Sequence, residues 1–173
     1  MPSSYQAPSR KDKAPAETFS QTAQTNTKKE TATVQKILDN KGKDVFSIGP
    51  QNTLHEAVEI LRDKHIGALP VLDPQGGLLG ILSERDIVRR LADTPGQTLG
   101  QKVEEIMTRK VEVCEASEAL LSVLRRMTEG RFRHMPAVSE DQVVGMVTIG
   151  DVVNYRLNEL EYEALQLKQL IVG

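Results

Sequence analysis

The residues that decide the reading occur twice: ILSERDIVRRL from Ile81 to Leu91, and MVTIGDVVNYRL from Met146 to Leu157. Each stretch opens on an apolar pair, then a hydroxyl side chain, then an Asp three residues on: Ser83 with Asp86, Thr148 with Asp151. An apolar pattern at helical spacing follows in both. A hydroxyl at the N-cap with an acid at the third helical position is the signature of a capping box, so each stretch reads as a strand running into a capped helix. One such stretch is a common helix start. Two of them, 65 residues apart, raise the question of duplication, which is settled before any other feature.

Outward from these stretches the two halves stay in register. VQKIL (Val34 to Leu38) and VEEIM (Val103 to Met107) are short amphipathic pieces. DVFSI (Asp44 to Ile48) and KVEVC (Lys110 to Cys114) alternate and predict strands. Leu54, Val58 and Leu61 then follow helical spacing, as do Leu120, Leu124 and Met127. The first of these helices carries its own start signal, Thr53 with Glu56. IGALPVLD (Ile66 to Asp73) falls on FRHMPAVS (Phe132 to Ser139), so that Pro70 matches Pro136. Turns follow at PQGG and EDQ, and Gly80 matches Gly145 in the third strand. The offset is 66 residues before the turn and 65 after it, because the second turn is one residue shorter.

Each unit therefore has the order helix, strand, helix, strand, strand, helix. About 65 residues close a core poorly alone, and two such units bury their apolar faces by packing together. The expected organisation is a disordered N-terminal tail over 1–30, a first repeat over 31–97, a second over 98–157 and a C-terminal helix over 158–173. The tail is Ser, Thr, Gln, Ala, Lys and Pro with little to bury, too little to offset the entropy of ordering it.

Composition narrows the function. Apolar residues make up 39% and charged residues 27% of 173 residues, as in ordinary globular proteins. A net charge of -2 and no Trp argue against bulk nucleic-acid or anionic-membrane binding. The single Cys114 allows no internal disulfide and suggests a reducing compartment. With no apolar run of spanning length and no secretory segment, the expectation is a soluble cytoplasmic protein.

The paired motifs GALPV with GILSERD, and RHMPAV with GMVTIGD, resemble the cystathionine-β-synthase (CBS) domain family in tandem. The likeness covers roughly Val34 to Leu157 and is greatest to small stand-alone bacterial CBS pairs. It implies an α/β (α+β) fold: two repeats, each a three-stranded sheet flanked by helices, packed about a pseudo-twofold axis. It also implies adenine-nucleotide binding in clefts between the repeats. In the family, the Asp of one repeat works with the first two strands of the other. Asp151, beside Met146 and Thr148, is then set opposite Asp44, Phe46, Ile66, Gly67, Ala68 and Pro70. Asp86, beside Ser83 and Arg85, is set opposite Lys110, Glu112, Phe132, Arg133, His134 and Pro136.

Two readings of the repeated Asp stay open: a cap only, or a cap that also faces ligand. A helix start after a strand offers unpaired N–H groups, and a carboxylate can accept from two ribose hydroxyls. Arg133 is the expected phosphate contact, since its planar fork suits phosphate oxygens and strand alternation sets His134 on the opposite face. Arg85 is a second phosphate candidate, with a surface salt bridge as its alternative. Arg131, Arg133 and His134 could equally form a solvated strand end.

Catalytic signatures are missing from the sequence. His55, His65 and His134 lack metal-ligand spacing, no Walker loop or G-x-G-x-x-G occurs, and GGLLG reads as a hairpin turn. The expectation is thus a non-enzymatic module without a catalytic cofactor or metal. It would sense AMP, ADP or ATP by population shift and act on an unidentified protein partner. The alternatives are an adaptor dimer without a physiological ligand, or another adenosyl ligand such as NAD(H) or S-adenosylmethionine. Leu157, Leu160, Ala164, Leu167 and Ile171 at three- and four-residue spacing, with the family's habit of pairing tandems, point to a homodimer.

Overall fold

The computed structural model describes residues 31–42 and 44–173, so the expected tail lies outside the described residues. The first repeat supplies α1 (Val34–Lys41), α2 (Leu54–Lys64), β1 (Ala68–Leu72), β2 (Leu78–Ser83) and α3 (Glu84–Asp93). The second supplies α4 (Val103–Ile106), β3 (Cys114–Glu115), α5 (Leu120–Gly130), β4 (His134–Ser139), β5 (Gln142–Thr148) and α6 (Ile149–Val172). The fold is mixed α/β, with six helices and two small sheets among the described residues.

Local chemistry explains the boundaries. Thr53 Oγ1 accepts from the Glu56 N–H, and Glu56 accepts from the Thr53 N–H at 2.7 Å, so α2 starts where its capping box is written. It ends at His65, which turns left-handed at φ 53°, and α5 ends at the matching Arg131 at φ 56°. Both hairpins are antiparallel, from Ala68↔Ser83 to Val71↔Gly80 and from His134↔Thr148 to Ala137↔Gly145. The register then slips at the same place in each, after Val71 and after Ala137.

The two short helices are exchanged between the repeats. Val34 and Ile37 of α1 are buried with Met135, Val147 and Val152 of the second repeat. Val103 and Met107 are buried with Leu69, Leu82 and Ile87 of the first. Matching backbone bonds hold each exchange: Val34 N–H to Glu118 O and Val103 N–H to Asn52 O, both at 2.9 Å. The repeated glycines follow from this packing. A Cβ on Gly145 would lie 2.4 Å from Leu38 Cδ2, and one on Gly80 would lie 2.8 Å from Met107 Sδ and Thr108 O. Each sheet thus leaves out one side chain where the other repeat's helix crosses it.

The expected first strands are shorter than their alternation suggests. Ile48 makes only an isolated parallel bridge to Val71, leaving the first sheet with two strands, and β3 keeps just Cys114 and Glu115 against Ala137 and Val138. Residues 44–46 and 110–112 leave the sheet edge and line cavities instead. A continued ladder would close that space.

α6 runs unbroken through 157 and 158. Its start packs on the second core: Val152 is buried, and Ile149 and Tyr155 rest against that cluster. Further along, Leu157, Leu160, Leu167 and Ile171 are 52%, 45%, 61% and 84% exposed, so among the described residues this stripe is not covered by its own repeat. No helix among the described residues is long and apolar enough to cross a membrane.

Candidate functional site

Both capping boxes form. The Ser83 N–H and Oγ–H donate to Asp86 Oδ2 at 2.9 and 2.6 Å, and the Asp86 N–H returns to Ser83 Oγ at 3.4 Å. The Thr148 N–H donates to Asp151 Oδ2 at 2.9 Å, and the Asp151 N–H donates to Thr148 Oγ1 at 3.0 Å. Each box uses Oδ2 and leaves Oδ1 out of these bonds. Both carboxylates are half-buried, and each lines a cavity walled by the other repeat. Capping and cavity-facing roles coexist in the same side chain.

The first cavity, about 440 Å³, has Ser83, Arg85 and Asp86 on one side. Lys110, Glu112, Phe132, Arg133 and His134 form the other, as the resemblance implies. Pro136 is buried further into β4 and lies outside this lining. Arg85 lines this cavity and, among the described residues, makes no salt bridge: its Nη1 donates to the Arg131 carbonyl at 3.0 Å, tying α3 to the segment before β4. Glu112 faces the cavity but is held by Arg126 Nη1 at 3.1 Å, which also donates to the Val113 carbonyl.

The second cavity, about 490 Å³, gathers Asp44, Phe46, Ile66, Gly67, Ala68 and Pro70 opposite Met146, Thr148 and Asp151. The Phe46 ring is 37% exposed and carries Lys64 Nζ 4.7 Å above it. A residue that sequence reading missed, Lys41, reaches in from the end of α1. Its Nζ lies 2.8 Å from Asp151 Oδ2 and donates to the Met146 carbonyl at 2.9 Å. The first cavity has a backbone contact in the matching place, where Ile81 and Thr108 exchange N–H···O bonds at 2.9 Å.

Gly67 and His134 line both cavities. A Cβ on Gly67 would lie 3.1 Å from His134 Cε1 and Nε2, so the glycine leaves room for the imidazole. Burial pushes the His134 pKa below its ordinary value, with the Glu84 carboxylate opposing. Arg133 and His134 were expected on opposite faces, yet both line the first cavity. Arg133 precedes β4 in a bend, where strand alternation does not apply.

Other lining residues went unread, among them Glu84 and Arg89 in the first cavity, while Arg131, read only as part of a solvated strand end, lines the first cavity and His65, read only for metal spacing, lines the second. Arg89 had a usable signal, four residues after Arg85 and so on the same face of α3. Lys41 had none, because its place depends on the exchange of α1.

Comparison with known proteins agrees with this architecture. The CBS domain family matches residues 41–93 and 103–158. A curated relative, the mitochondrial CBS domain-containing protein CBSX3 of Arabidopsis thaliana, is 31% identical over 152 residues, covering 83% of this chain and 74% of that protein. Other curated relatives are longer, and the chain spans 41% and 44% of two of them. The crystal structure of the CBS-domain containing protein ATU1752 from Agrobacterium tumefaciens superposes with a TM-score of 0.70 at 38% identity, covering 72% of this chain and 99% of that one. The CBS domain pair of protein MJ0100, solved in complex with 5′-methylthioadenosine and S-adenosyl-L-methionine, superposes at 0.67 with 29% identity, covering 75% and 98%. Two family matches in register with the duplicated halves, and superposition over nearly the whole of solved CBS pairs, place this chain in the CBS domain family.

Proposed function

We propose that the chain is a non-enzymatic regulatory module that binds adenine nucleotides in the two cavities between its repeats. The observation that carries this reading is the position of Asp86 and Asp151. Each carboxylate is fixed by its capping box on the wall of a cavity whose far side comes from the other repeat. A ligand held there touches both repeats and favours one arrangement of the pair over others. Two ribose hydroxyls suit such a carboxylate, and cavities of this size fall in the range of small-ligand sites, about 300–1,000 Å³. The adenosyl ligands of the MJ0100 pair support the nucleoside part of the reading. AMP, ADP and ATP are the proposed ligands, with NAD(H) and S-adenosylmethionine as alternatives sharing the adenosyl group.

The output would pass to a separate protein or through assembly. The exposed apolar stripe of α6 favours a homodimer, and an adaptor dimer without ligand is the second reading that this stripe supports. Mass spectrometry of small molecules released on denaturing the purified protein tests the choice. An adenosyl compound at a stoichiometry near one or two per chain is expected. If none is recovered and none of the named ligands raises Tm at millimolar concentration, the nucleotide reading fails and the adaptor reading stands.

A further inference from the structure

We propose that the two cavities take ligands of different tail charge: the first a polyphosphate-bearing nucleotide, the second an adenosyl compound without a polyphosphate. This rests on the adenosyl reading above and sharpens it. Arg89, Lys110, Arg131 and Arg133 line the first cavity and are exposed. Among the described residues, no carboxylate pairs with any of these four. Three acids line the cleft too, Glu84, Asp86 and Glu112, the last held by Arg126 at 3.1 Å, but with Arg85 the cations number five and outweigh them. Guanidinium forks around an open cleft match the oxygens of a polyphosphate and draw it in from solution.

The second cavity presents the opposite balance. Its wall includes Leu38, Val45, Phe46, Ile66, Ala68 and Pro70. Lys41 is spent on Asp151 at 2.8 Å, and Asp44 adds a second carboxylate. A polyphosphate here would face two acids and compete with one of them for Lys41. An uncharged or zwitterionic tail would not.

The duplication makes the contrast sharper, because the two sites share one scaffold. At the 66-residue offset Lys110 stands where the other copy has Asp44, and Arg133 where it has Gly67. At the 65-residue offset Arg85 stands for Gly150 and Arg89 for Asn154. Four positions are cationic in one copy and neutral or acidic in the other, while the Asp and its hydroxyl partner are kept in both.

The test uses calorimetric titration of the full chain with ATP, inorganic tripolyphosphate and 5′-methylthioadenosine. The variants are Arg89→Ala with Arg133→Ala, Asp86→Asn, and Asp151→Asn. The two arginines are exposed and have no carboxylate partner among the described residues, so unchanged Tm is the control for folding. ATP and tripolyphosphate are expected to weaken at least tenfold in the double-arginine variant and steeply with added KCl. Methylthioadenosine should be unaffected by those arginines and weakened by Asp151→Asn alone. Full ATP affinity without the arginines, or loss of ATP in Asp151→Asn instead of Asp86→Asn, overturns the assignment. Arginine-dependent tripolyphosphate binding with no adenosyl binding keeps the charge assignment and sinks the adenosyl reading. If no probe binds, both are wrong.

Discussion

Replacing Asp151 by Asn separates what the carboxylate does for the fold from what it does for a ligand. Asn keeps the shape and one acceptor oxygen, so the bond from the Thr148 N–H, 2.9 Å in the parent, can survive. What is lost is the ion pair with Lys41, whose side chains are 39% and 23% exposed, and the negative charge at the start of α6. An exposed pair contributes about 0.2–1 kcal/mol and a charge at a helix start about 0.3–1 kcal/mol. The expected cost without ligand is therefore about 0.5–2 kcal/mol, a fall in Tm of a few degrees for a domain of this size. Asp86→Asn should cost less, because no cation is paired with Asp86 among the described residues. The ligand effect is larger: a ribose contact weakened tenfold loses about 1.4 kcal/mol. At a concentration one hundred times the parent's Kd, ligand stabilisation is about 2.7 kcal/mol and drops to about 1.4 kcal/mol in the variant. Thermal denaturation with AMP, ADP and ATP, with each variant compared to its own ligand-free Tm, reads both quantities. Undiminished ligand stabilisation in both Asn variants would show that the repeated motif is a helix cap and nothing more.

Leu69, fully buried between the elements of the first core, should cost about 2–5 kcal/mol on Leu69→Ala, seen as a lower urea midpoint with unchanged slope. Sedimentation at micromolar concentration is expected to give twice the 19.2 kDa chain mass, and Leu167→Glu with Ile171→Glu to give the monomer; a parent that stays monomeric refutes the α6 interface. Burial holds the Cys114 thiol protonated, with its pKa raised to about 11 from 9.0. Its contribution to stability is complete below about pH 9 and is lost as pH rises toward about 11. A thiol reagent at pH 8 should therefore label the unfolded chain and spare the folded one. His134, held below its ordinary pKa of 6.5, contributes stability above that pH and loses it as pH falls. An NMR titration of its ring with a midpoint at or above 6.5 would contradict the burial that the structure assigns it.

What the sequence made legible was whatever local chemistry determines. Ser83 with Asp86, Thr148 with Asp151 and Thr53 with Glu56 fix three helix starts through bonds that reach only three residues. The paired offsets of 66 and 65 then aligned the two halves, and with the family likeness set Asp151 opposite Ile66 and Asp86 opposite Phe132. The exchange of α1 and α4 was not legible, because VQKIL and VEEIM present the same amphipathic pattern whichever core receives them. Lys41 went unread for the same reason. DVFSI and KVEVC alternate as strands do, but alternation reports which faces differ in polarity and says nothing about whether a neighbouring strand is present to pair. Arg133 was assigned a face by a rule that starts one residue later, at His134.

The exchange of short helices means that the unit repeated in the sequence is not the unit that folds. Severed between the halves near residue 97, each fragment would carry one core's strands and the helix belonging to the other. Neither fragment could bury Leu69 and Leu82, or Met135 and Val147, behind the helix that now covers them. Mixed together, the two pieces hold a complete set of partners, so the protein should reassemble from its halves. A single half has one remedy of its own: to meet a second copy and trade helices with it, closing a twofold-symmetric pair. The present chain makes the same exchange within one polypeptide. Because one chain carries both halves, its two sites can differ, which identical copies across a true twofold axis could never do.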